Sequence, residues 1–569
     1  MQVNFSLDSA KVPTNYIPPG TDSYPYSFAR VGEVGAEWFA RLIQARVLQA
    51  GAQGVEFDVA RWTWGRQNNS NFAMDADNDL VVDHGYVAGV NSFGLGARVF
   101  HETLRSLLGT NKIIQADSTA STGGVRDWKY LNGVQMESFP SANDYDIFSA
   151  AFTHLRLWSE NAGKGQSGIV PLTYAYSKTA TEAYNVCTIK RDYDNTGLIV
   201  PITPTGQCLQ PSFLEQFKGL NSRARINLAS ATLVEMMNPY TALETNEYYD
   251  PDGIQETGTI RGTFDWDEYH RGVDNVWGWL GKPVGSLKRE LQYTSGNLFA
   301  QTSWSLQKDA GFQATTVGSG GVLSAIVTEK ADPGVVVPNE SWGSVRFVPS
   351  TALALTPGKE YTITFDARGD DDWTYKGKTY QDVPRMLAVF MPMKTVRLLR
   401  AMGVLVDSSW RSYSLTFTAA SCPSSSTNDR FCPPSGINTP YFGVSEQVGK
   451  TEIRNIKVYE GSGERWSREF GGGIVLLNMS NVPWNVALSG SFKRIQGMVD
   501  PVVNNGSAVG SSVTIPARDA LFLVRTAAPS ASATPAGDRP YAQLASTFTA
   551  LESVMDDIKA LIFRTFGPN

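Results

Sequence analysis

Three acidic residues stand at the ends of short apolar runs that have the composition of strands. Asp58, Asp117 and Glu137 each close one such run in the first quarter of the chain. In a parallel barrel, residues at the C-terminal ends of several strands converge on one mouth. A pair of carboxylates is the equipment of glycoside hydrolysis, in which one protonates the leaving oxygen and the other acts as base or nucleophile. The spacing therefore predicts a sugar-cleaving site.

Asp58 and Glu137 form the leading catalytic pair in this interpretation. Glu137 has the more apolar neighbours, Met136 and Phe139. Since a general acid must hold its proton near neutral pH, we assign that role to Glu137 and the role of nucleophile or base to Asp58. Asp117 is a third catalytic candidate. The alternatives are a helix cap or an arginine pair for Asp58 and Glu137, and a helix cap or a substrate hydrogen bond for Asp117.

Three further residues near Asp58 are candidates for contact with substrate. Glu56 shares a strand face with Asp58 and is expected to point into the same cavity. Trp62 and Trp64 follow shortly afterwards and have the ring area needed to stack on a sugar. Packing in the core is an equal alternative for both tryptophans.

The elements that must position these residues alternate between strand and helix. Apolar periodicity predicts helices over 34–50, 88–108, 144–161 and 213–237, and strands over 55–58, 113–117, 134–137 and 169–174. This order predicts a (β/α) barrel or a partial barrel. A full barrel requires eight strands, and only about four precede residue 290. Three explanations are open: the N-terminal half-barrel lies on a second chain, it was removed, or the sheet is open. Because an open barrel edge is prone to association, a missing partner segment is favoured.

The rest of the chain has the pattern of β-structure, so the predicted fold class is α/β plus all-β. Short alternating runs separated by Gly, Pro and Asp predict an inserted β-sandwich and then a small β-domain. A Pro/Ala/Ser-rich linker and an amphipathic helix for oligomerisation or docking follow. The predicted units are 1–295, 296–460, 461–526, 527–540 and 541–569.

Composition limits the classes of partner. The 569 residues carry a net charge of -6 without a basic run, which argues against nucleic acid as a partner. No apolar run reaches the roughly 18 residues of a membrane span. Met1–Gly20 lacks the basic start and apolar stretch of a secretory signal. We nevertheless expect an extracellular, cell-surface or virion location, reached after removal of a leader, by an unusual route or by cell lysis.

The cysteines favour an oxidising compartment. Cys187 lies near Cys208, and Cys422 lies near Cys432, with loop-like sequence between the members of each pair. Two short-range disulfides are the prediction, and four free thiols are the alternative. No Cys or His spacing suits zinc.

An acidic run has part of the spacing of a calcium loop. Asp75, Asp77, Asp79 and Asp83 occupy loop positions 1, 3, 5 and 9. Leu80 stands where such a loop has glycine, and the glutamate of position 12 is also absent. A solvated acidic loop is therefore favoured over calcium, and no cofactor is required by the predicted chemistry.

Aromatic residues in the sandwich segment are a second set of candidates for glycan contact. Trp373, Tyr375 and Tyr380 follow the acidic run Asp370–Asp372 in an apparent loop. Exposed rings beside carboxylates suit stacking on a sugar and hydrogen bonding to its hydroxyls. The alternative is that the sandwich is an inert spacer.

Four short segments carry a resemblance to a known group of proteins. These are Gly54–Asp58, Leu131–Glu137, Trp277–Pro283 and Trp466–Asn478. They resemble glycoside hydrolase-like barrels in the style of the endo-α-polygalactosaminidases, with the last segment similar to the small β-domain that closes such barrels. The resemblance covers 1–290 and 461–526, and it implies that Asp58 and Glu137 are catalytic.

The intervening segment has a resemblance of its own. Asn297-Leu298, Trp410–Tyr413 and the run Ile453–Tyr459 make 296–460 similar to carbohydrate-binding modules of the family-4/9 type. Together the two resemblances imply a glycoside hydrolase that acts on an extracellular polysaccharide. The alternative is a non-catalytic glycan-binding surface protein or virion structural protein, such as a phage appendage, attached through 541–569. The terminal amphipathic helix predicts a homo-oligomer or docking onto a larger assembly, with packing on the protein's own barrel as the alternative.

Overall fold

The computed structural model describes most of the chain from residue 33 onward. The described residues are 33–57, 60–62, 85–119, 124–137, 139, 147–163, 166–169, 172–175, 188–191, 199–202, 218–236, 241–243, 248–249, 255–256, 262–264, 269, 278–299, 303–316, 321–330, 342–392, 401–419, 439–497 and 500–526.

Helices and strands alternate in the first part of the chain. The helices are α1 (Gly35–Gln49), α2 (Ser92–Leu108), α3 (Phe148–Asn161) and α4 (Lys218–Leu233). The strands up to residue 293 are β1 (Gly54–Phe57), β2 (Tyr86–Val87), β3 (Val90–Asn91), β4 (Ile113–Thr119), β5 (Gly133–Glu137), β6 (Tyr174–Ala175), β7 (Thr188–Arg191), β8 (Ile199–Ile202), β9 (Thr241–Leu243), β10 (Tyr248–Tyr249), β11 (Gln255–Glu256), β12 (Gly262–Phe264) and β13 (Lys288–Tyr293).

The regular elements in the remainder of the described chain are all strands. They are β14 (Trp304–Lys308), β15 (Gln313–Thr316), β16 (Leu323–Glu329), β17 (Val345–Pro349), β18 (Glu360–Gly369), β19 (Trp373–Tyr375), β20 (Lys378–Tyr380), β21 (Arg385–Phe390), β22 (Ala401–Val406), β23 (Arg411–Thr418), β24 (Tyr441–Gly443), β25 (Gly449–Phe470), β26 (Gly473–Asn478), β27 (Trp484–Ala487), β28 (Phe492–Arg494), β29 (Ala508–Val509), β30 (Ser512–Ile515) and β31 (Asp519–Arg525).

The N-terminal layer is an open parallel sheet in the order β1-β4-β5-β6. Helix α2 begins where the Asn91 side chain accepts a hydrogen bond from Gly94 N at 2.8 Å, and it ends before Gly109, whose φ is 69°. The cap satisfies a free backbone N–H of the first helical turn, and a glycine with positive φ ends a helix without steric strain. The helix packs its apolar side on the sheet, where Phe57 contacts Phe100 edge-on at 5.0 Å.

The expected (β/α) barrel does not form among the described residues. The parallel sheet there has four strands and two open edges. The described chain as a whole is mostly β-strand with few helices. Within it, no helix is both long enough and apolar enough to cross a membrane.

The predicted β-sandwich is present as two facing sheets. One contains β15, β16, β18, β23 and the first part of β25, and the other has the order β14-β17-β24-β21-β22. Their inner faces enclose one apolar core, in which Phe347, Leu387 and Phe442 from one sheet meet Phe365 and Leu415 from the other. Alternation of buried and half-buried positions along β17 and β18 is what permits this packing.

Strand β25 continues from the sandwich into the C-terminal sheet. Its first part pairs with β16 and β18, and its second part pairs with β13 and β26. The predicted boundary at 460/461 thus falls inside one strand. Gly461 lies there with φ 113°, and a Cβ at this position would meet Gln292 O at 2.0 Å. Only glycine admits such an approach of the neighbouring strand.

The sandwich segment enters and leaves at adjacent points. Thr294 N donates to Glu460 O at 2.9 Å, so the two ends of the segment are hydrogen-bonded to each other. The flanking segments meet as well, since Gly472 N donates to Leu280 O at 2.9 Å. The chain therefore leaves the sandwich segment close to the point where it entered.

Helix α4 is attached to the C-terminal sheet by a buried ion network. Arg225 donates to Asp519 through Nε at 2.8 Å and through Nη2 at 2.9 Å. Its Nη1 contacts Asp500. A bidentate arginine–carboxylate pair fixes both distance and orientation, so α4 has a defined position on β31.

A second buried ion pair joins the parallel-sheet layer to the sandwich. Arg126 Nη1 donates to Glu446 Oε2 at 3.0 Å, and the two side chains are 0% and 1% exposed. Arg126 Nη1 also donates to Pro384 O at 2.9 Å, and Met386 N donates to the Glu446 carboxylate. The charges are therefore compensated within the interface.

Removal of the cation tests the importance of this contact. In Arg126→Met, the Glu446 carboxylate stays buried without its counter-charge, which costs roughly 3–5 kcal/mol in comparable buried pairs. We expect a clear fall in the midpoint of thermal unfolding measured by calorimetry. The matched control is Lys129→Met, because Lys129 also reaches the sandwich, at 2.9 Å from Asp382, but both side chains are exposed (38% and 64%). An exposed pair contributes about 0–1 kcal/mol, and equal shifts for both variants would contradict our account.

His154 makes stability depend on pH. It is buried on α3, neither ring nitrogen has a hydrogen-bond partner, and burial together with the Arg126 charge lowers its pKa to about 3. Since the unfolded-state pKa is about 6.5, unfolding takes up a proton below that pH. Stability contributed by neutral His154 is complete above pH 6.5 and is lost as pH falls toward 3.

The expected slope is up to about 1.4 kcal/mol per pH unit in this window. Urea unfolding of the wild type and of His154→Phe at pH 7, 6, 5 and 4 measures it. The variant lacks the titrating ring, so its unfolding should take up as much as one proton less. Its free energy of unfolding should therefore change less steeply with pH. Parallel curves would show that His154 does not cause the acid sensitivity.

Candidate functional site

The carboxyl end of the parallel sheet brings two of the predicted catalytic residues close together. Asp117 on β4 pairs with Gln135 on β5, and Glu137 lies two residues further along β5, paired with Thr119. From strand geometry the Cα atoms of Asp117 and Glu137 are roughly 8 Å apart. Asp117 is half-buried. Neighbouring strands thus carry the two acids at the same end of the sheet.

The two faces of this sheet differ in polarity. Ile114, Ala116, Val134 and Met136 point to the helices and are fully buried. The alternate positions carry Gln115, Asp117 and Gln135. Glu56 on β1 pairs with Gln115, and its side chain is exposed to solvent. Since side chains alternate between faces, the sheet has one apolar face against the helices and one polar face opposite.

Several predicted site residues lie outside the described part of the chain. They are Asp58, Trp64, the acidic run Asp75, Asp77, Asp79 and Asp83, and the four cysteines Cys187, Cys208, Cys422 and Cys432. Among the described residues, no group of three or more His, Cys, Asp or Glu is placed to hold a metal ion.

Trp62 packs in the core. Its side chain is 0% exposed, the Arg126 guanidinium lies 5.1 Å from its ring centre, and Trp373 meets it edge-on at 5.6 Å. Its carbonyl accepts a hydrogen bond from Asn91 Nδ2 at 2.9 Å. Of the two alternatives for this tryptophan, core packing is the one that the structure has.

The expectation that Trp373, Tyr375 and Tyr380 are exposed is wrong. Their exposed fractions are 3%, 5% and 7%. They lie on the hairpin of β19 and β20, where Trp373 pairs with Tyr380, while Thr374 and Thr379 between them face solvent. The alternation places all three rings on one face, which packs against the core of the parallel-sheet layer. They join the sandwich to that layer and offer no open stacking surface.

A cavity of about 260 Å³ lies where α3, β23 and β25 meet, with β13 beside them. Its lining combines rings, hydroxyls and charges: Ser149, Phe152, Thr153, Arg156, Leu157, Glu160, Arg289, Arg411, Ser412, Tyr413, Ser414, Glu464 and Trp466. No single stretch of sequence contains this set, so the sequence patterns above did not identify it.

The floor of this junction cavity is a buried polar cluster. The Glu464 carboxylate, 3% exposed, accepts hydrogen bonds from Ser149 Oγ at 2.7 Å, Arg289 Nη2 at 2.8 Å and Trp466 Nε1 at 2.8 Å. The Trp466 ring is itself 5% exposed and contacts Phe152 edge-on at 5.1 Å. Arg289 compensates the charge of the carboxylate, and the three donors together hold its geometry.

The mouth of the junction cavity carries charges that reach solvent. The side chains of Arg156 and Glu160 on α3 are 39% and 47% exposed, and that of Arg411 on β23 is 31% exposed. Arg156 Nη2 lies 3.7 Å from Glu160 Oε1, beyond hydrogen-bond distance. Arg411 donates to Asp407 Oδ2 from Nε at 3.0 Å and from Nη2 at 2.6 Å. The mouth therefore differs from the floor in having solvent-exposed charges, of which the Arg156–Glu160 pair is loose and the Arg411–Asp407 pair is close.

Comparison with known proteins gives similarities of structure alone. No family model matches the chain, and no curated protein does. Among solved structures, it is similar to a CBM4 structure at 16% identity, over 30% of this chain and 94% of that one, with a TM-score of 0.18. A family 11 carbohydrate-binding module from Clostridium thermocellum, in complex with a β-1,3-1,4-mixed-linked tetrasaccharide, has 14% identity and a TM-score of 0.17. This similarity covers 31% of the present chain and 96% of that module.

A phage protein is among the similar structures. The enzymatically active domain of tailspike protein 4 of bacteriophage CBA120 has 13% identity and a TM-score of 0.17. This similarity covers 30% of the present chain and 21% of the tailspike chain.

Proposed function

We propose that this protein binds polysaccharide and holds one sugar residue in the junction cavity. The observation that supports this most directly is the lining itself, in which aromatic side chains, hydroxyls and ionic groups converge on one concave space. Binding sites for small polar molecules combine an apolar wall with a few fixed polar groups in this way. An extracellular, cell-surface or virion location, as expected from the sequence, suits such a ligand.

Size and rigidity support a single sugar residue as the occupant. The volume of about 260 Å³ lies just below the roughly 300–1,000 Å³ of sites for drug-sized ligands. The floor groups around Glu464 are held by their own hydrogen bonds, so little ordering accompanies binding. The half-exposed mouth leaves room for the rest of a chain to extend into solvent.

Affinity electrophoresis of the full chain in gels containing soluble polysaccharides tests this function. We expect retardation by at least one polysaccharide of a broad panel. Thr153 lines the cavity and is half-buried, so the indole of Thr153→Trp would occupy the ligand's space. We expect binding to weaken by at least roughly tenfold, which corresponds to a loss of about 1.4 kcal/mol or more.

The matched control is Thr315→Trp, the same substitution at an exposed position of β15 away from the cavity. It should bind as the wild type does, and unfolding midpoints of both variants verify that they are folded. Full binding by a folded Thr153→Trp would exclude the cavity as the site. Failure of the wild type on the whole panel would refute the binding function.

Hydrolysis of a glycosidic bond at the carboxyl end of the parallel sheet is a second candidate. The polar face that carries Asp117, and the neighbouring strand position of Glu137, favour it. Asp58 completes the proposed set. Enclosure of this face requires further chain, from segments outside the described residues or from a second polypeptide that completes a partial barrel. One acid would then protonate the leaving oxygen while another acts as base or nucleophile.

Release of reducing ends from a polysaccharide that the protein binds tests this activity. Asp117→Asn and Glu137→Gln should each lower the rate by about 10²–10⁴-fold if the residue transfers protons. Glu329→Gln changes an exposed carboxylate on β16 and serves as the control. Binding without release by the wild type would leave a glycan-binding protein and exclude the hydrolase.

A further inference from the structure

The mouth of the junction cavity contains one guanidinium whose hydrogen-bonding capacity is not taken up by its ion pair. Arg156 has Glu160 at 3.7 Å and stacks loosely on Trp466, with its Cζ 5.5 Å from the ring centre. The other cations of the lining are held more closely: Arg289 by Glu464 and Gly463, and Arg411 by Asp407. Arg156 is therefore the cation best able to accept a new anionic partner.

Glu160 occupies the place of an anion at this mouth. It lies one helical turn from Arg156, and its charge also acts on Arg411, whose pKa is raised first by the hydrogen bond to Asp407. A single carboxylate is thus shared electrostatically by cations from α3 and β23. Exposed i,i+4 pairs contribute little to stability, so little free energy opposes the departure of Glu160 from Arg156.

We infer that the cavity selects a carboxylate-bearing sugar, whose carboxylate replaces Glu160 as the partner of Arg156. This inference rests on the proposed glycan-binding function and adds the class of ligand. The planar guanidinium binds a carboxylate through two parallel hydrogen bonds, a geometry that a neutral hydroxyl does not reproduce. Asp407 stays with Arg411, and Glu464 stays with Arg289, so the exchange involves one ion pair at the mouth.

The inference gives two substitutions opposite effects. Arg156→Gln removes the cation and should abolish the preference for acidic ligands. Glu160→Gln removes the competing carboxylate while keeping the side-chain shape, and should strengthen acidic binding by several-fold. A purely structural role of the Arg156–Glu160 pair would not give opposite signs, because both substitutions break the same pair. Arg346 on β17 forms a part-exposed pair with Asp309. Arg346→Gln breaks that pair and is the matched control, which should leave the preference for acidic ligands unchanged.

The experiment uses affinity electrophoresis of the full chain with polygalacturonate and alginate, each beside its carboxyl-reduced neutral counterpart. We expect the wild type to bind at least one acidic form about tenfold more tightly than the neutral form, as a charge-assisted pair is about twice as strong as a neutral hydrogen bond. The preference should shrink as salt rises, since the pair is at the surface.

Equal binding of acidic and reduced forms would overturn the inference and leave the glycan-binding function intact. Weaker acidic binding by Glu160→Gln would also overturn it. Absence of binding to every polysaccharide of the broad panel would instead refute the proposed function itself. The two failures are therefore distinguishable.

Discussion

The rest of the architecture depends on the buried pair of Arg126 and Glu446. Two charges withdrawn from water are tolerated only where their hydrogen bonds are nearly all supplied by the protein. Here Pro384 O, just before β21, and Met386 N, within β21, add hydrogen bonds to the pair. The sandwich must therefore sit in one orientation on the parallel-sheet layer. This distinguishes it from a module on a flexible tether, whose orientation no buried contact would define.

That fixed orientation is what creates the junction cavity. Its walls come from α3 on one side and from β23 and β25 on the other, so the cavity exists only while the two layers are docked. β25 contributes a second constraint, because one continuous strand supplies the last sandwich positions and then Glu464 and Trp466 at the floor. Ser149 spans the same seam, donating to Glu464 and accepting from Thr416 N at 2.8 Å. The floor is consequently part of the packing that holds the layers together.

Periodicity in the sequence predicted the local elements well. The predicted helices over 34–50 and 88–108 contain α1 and α2, and the runs ending at Asp117 and Glu137 lie in the adjacent parallel strands β4 and β5. Alternation likewise predicted the sandwich. The exposure of Trp373 failed because turn-like residues around it were interpreted as a loop, where they form a hairpin with an aromatic face. The cavity escaped prediction because its residues are separated by up to about three hundred positions and share no local pattern.

The two acids of the junction cavity show why burial, more than residue type, decides which group can exchange partners. Glu464 has three donors and almost no contact with solvent. Its displacement would leave the buried Trp466 indole without its acceptor and Arg289 Nη2 without its carboxylate partner, a loss of about 1–3 kcal/mol for a buried unsatisfied group. Glu160 is half-exposed and lies beyond hydrogen-bond distance of Arg156. Water can solvate both charges when this weak pair separates, at little cost in free energy. Exchange with a ligand is therefore confined to the mouth, while the floor keeps the shape that the ligand enters.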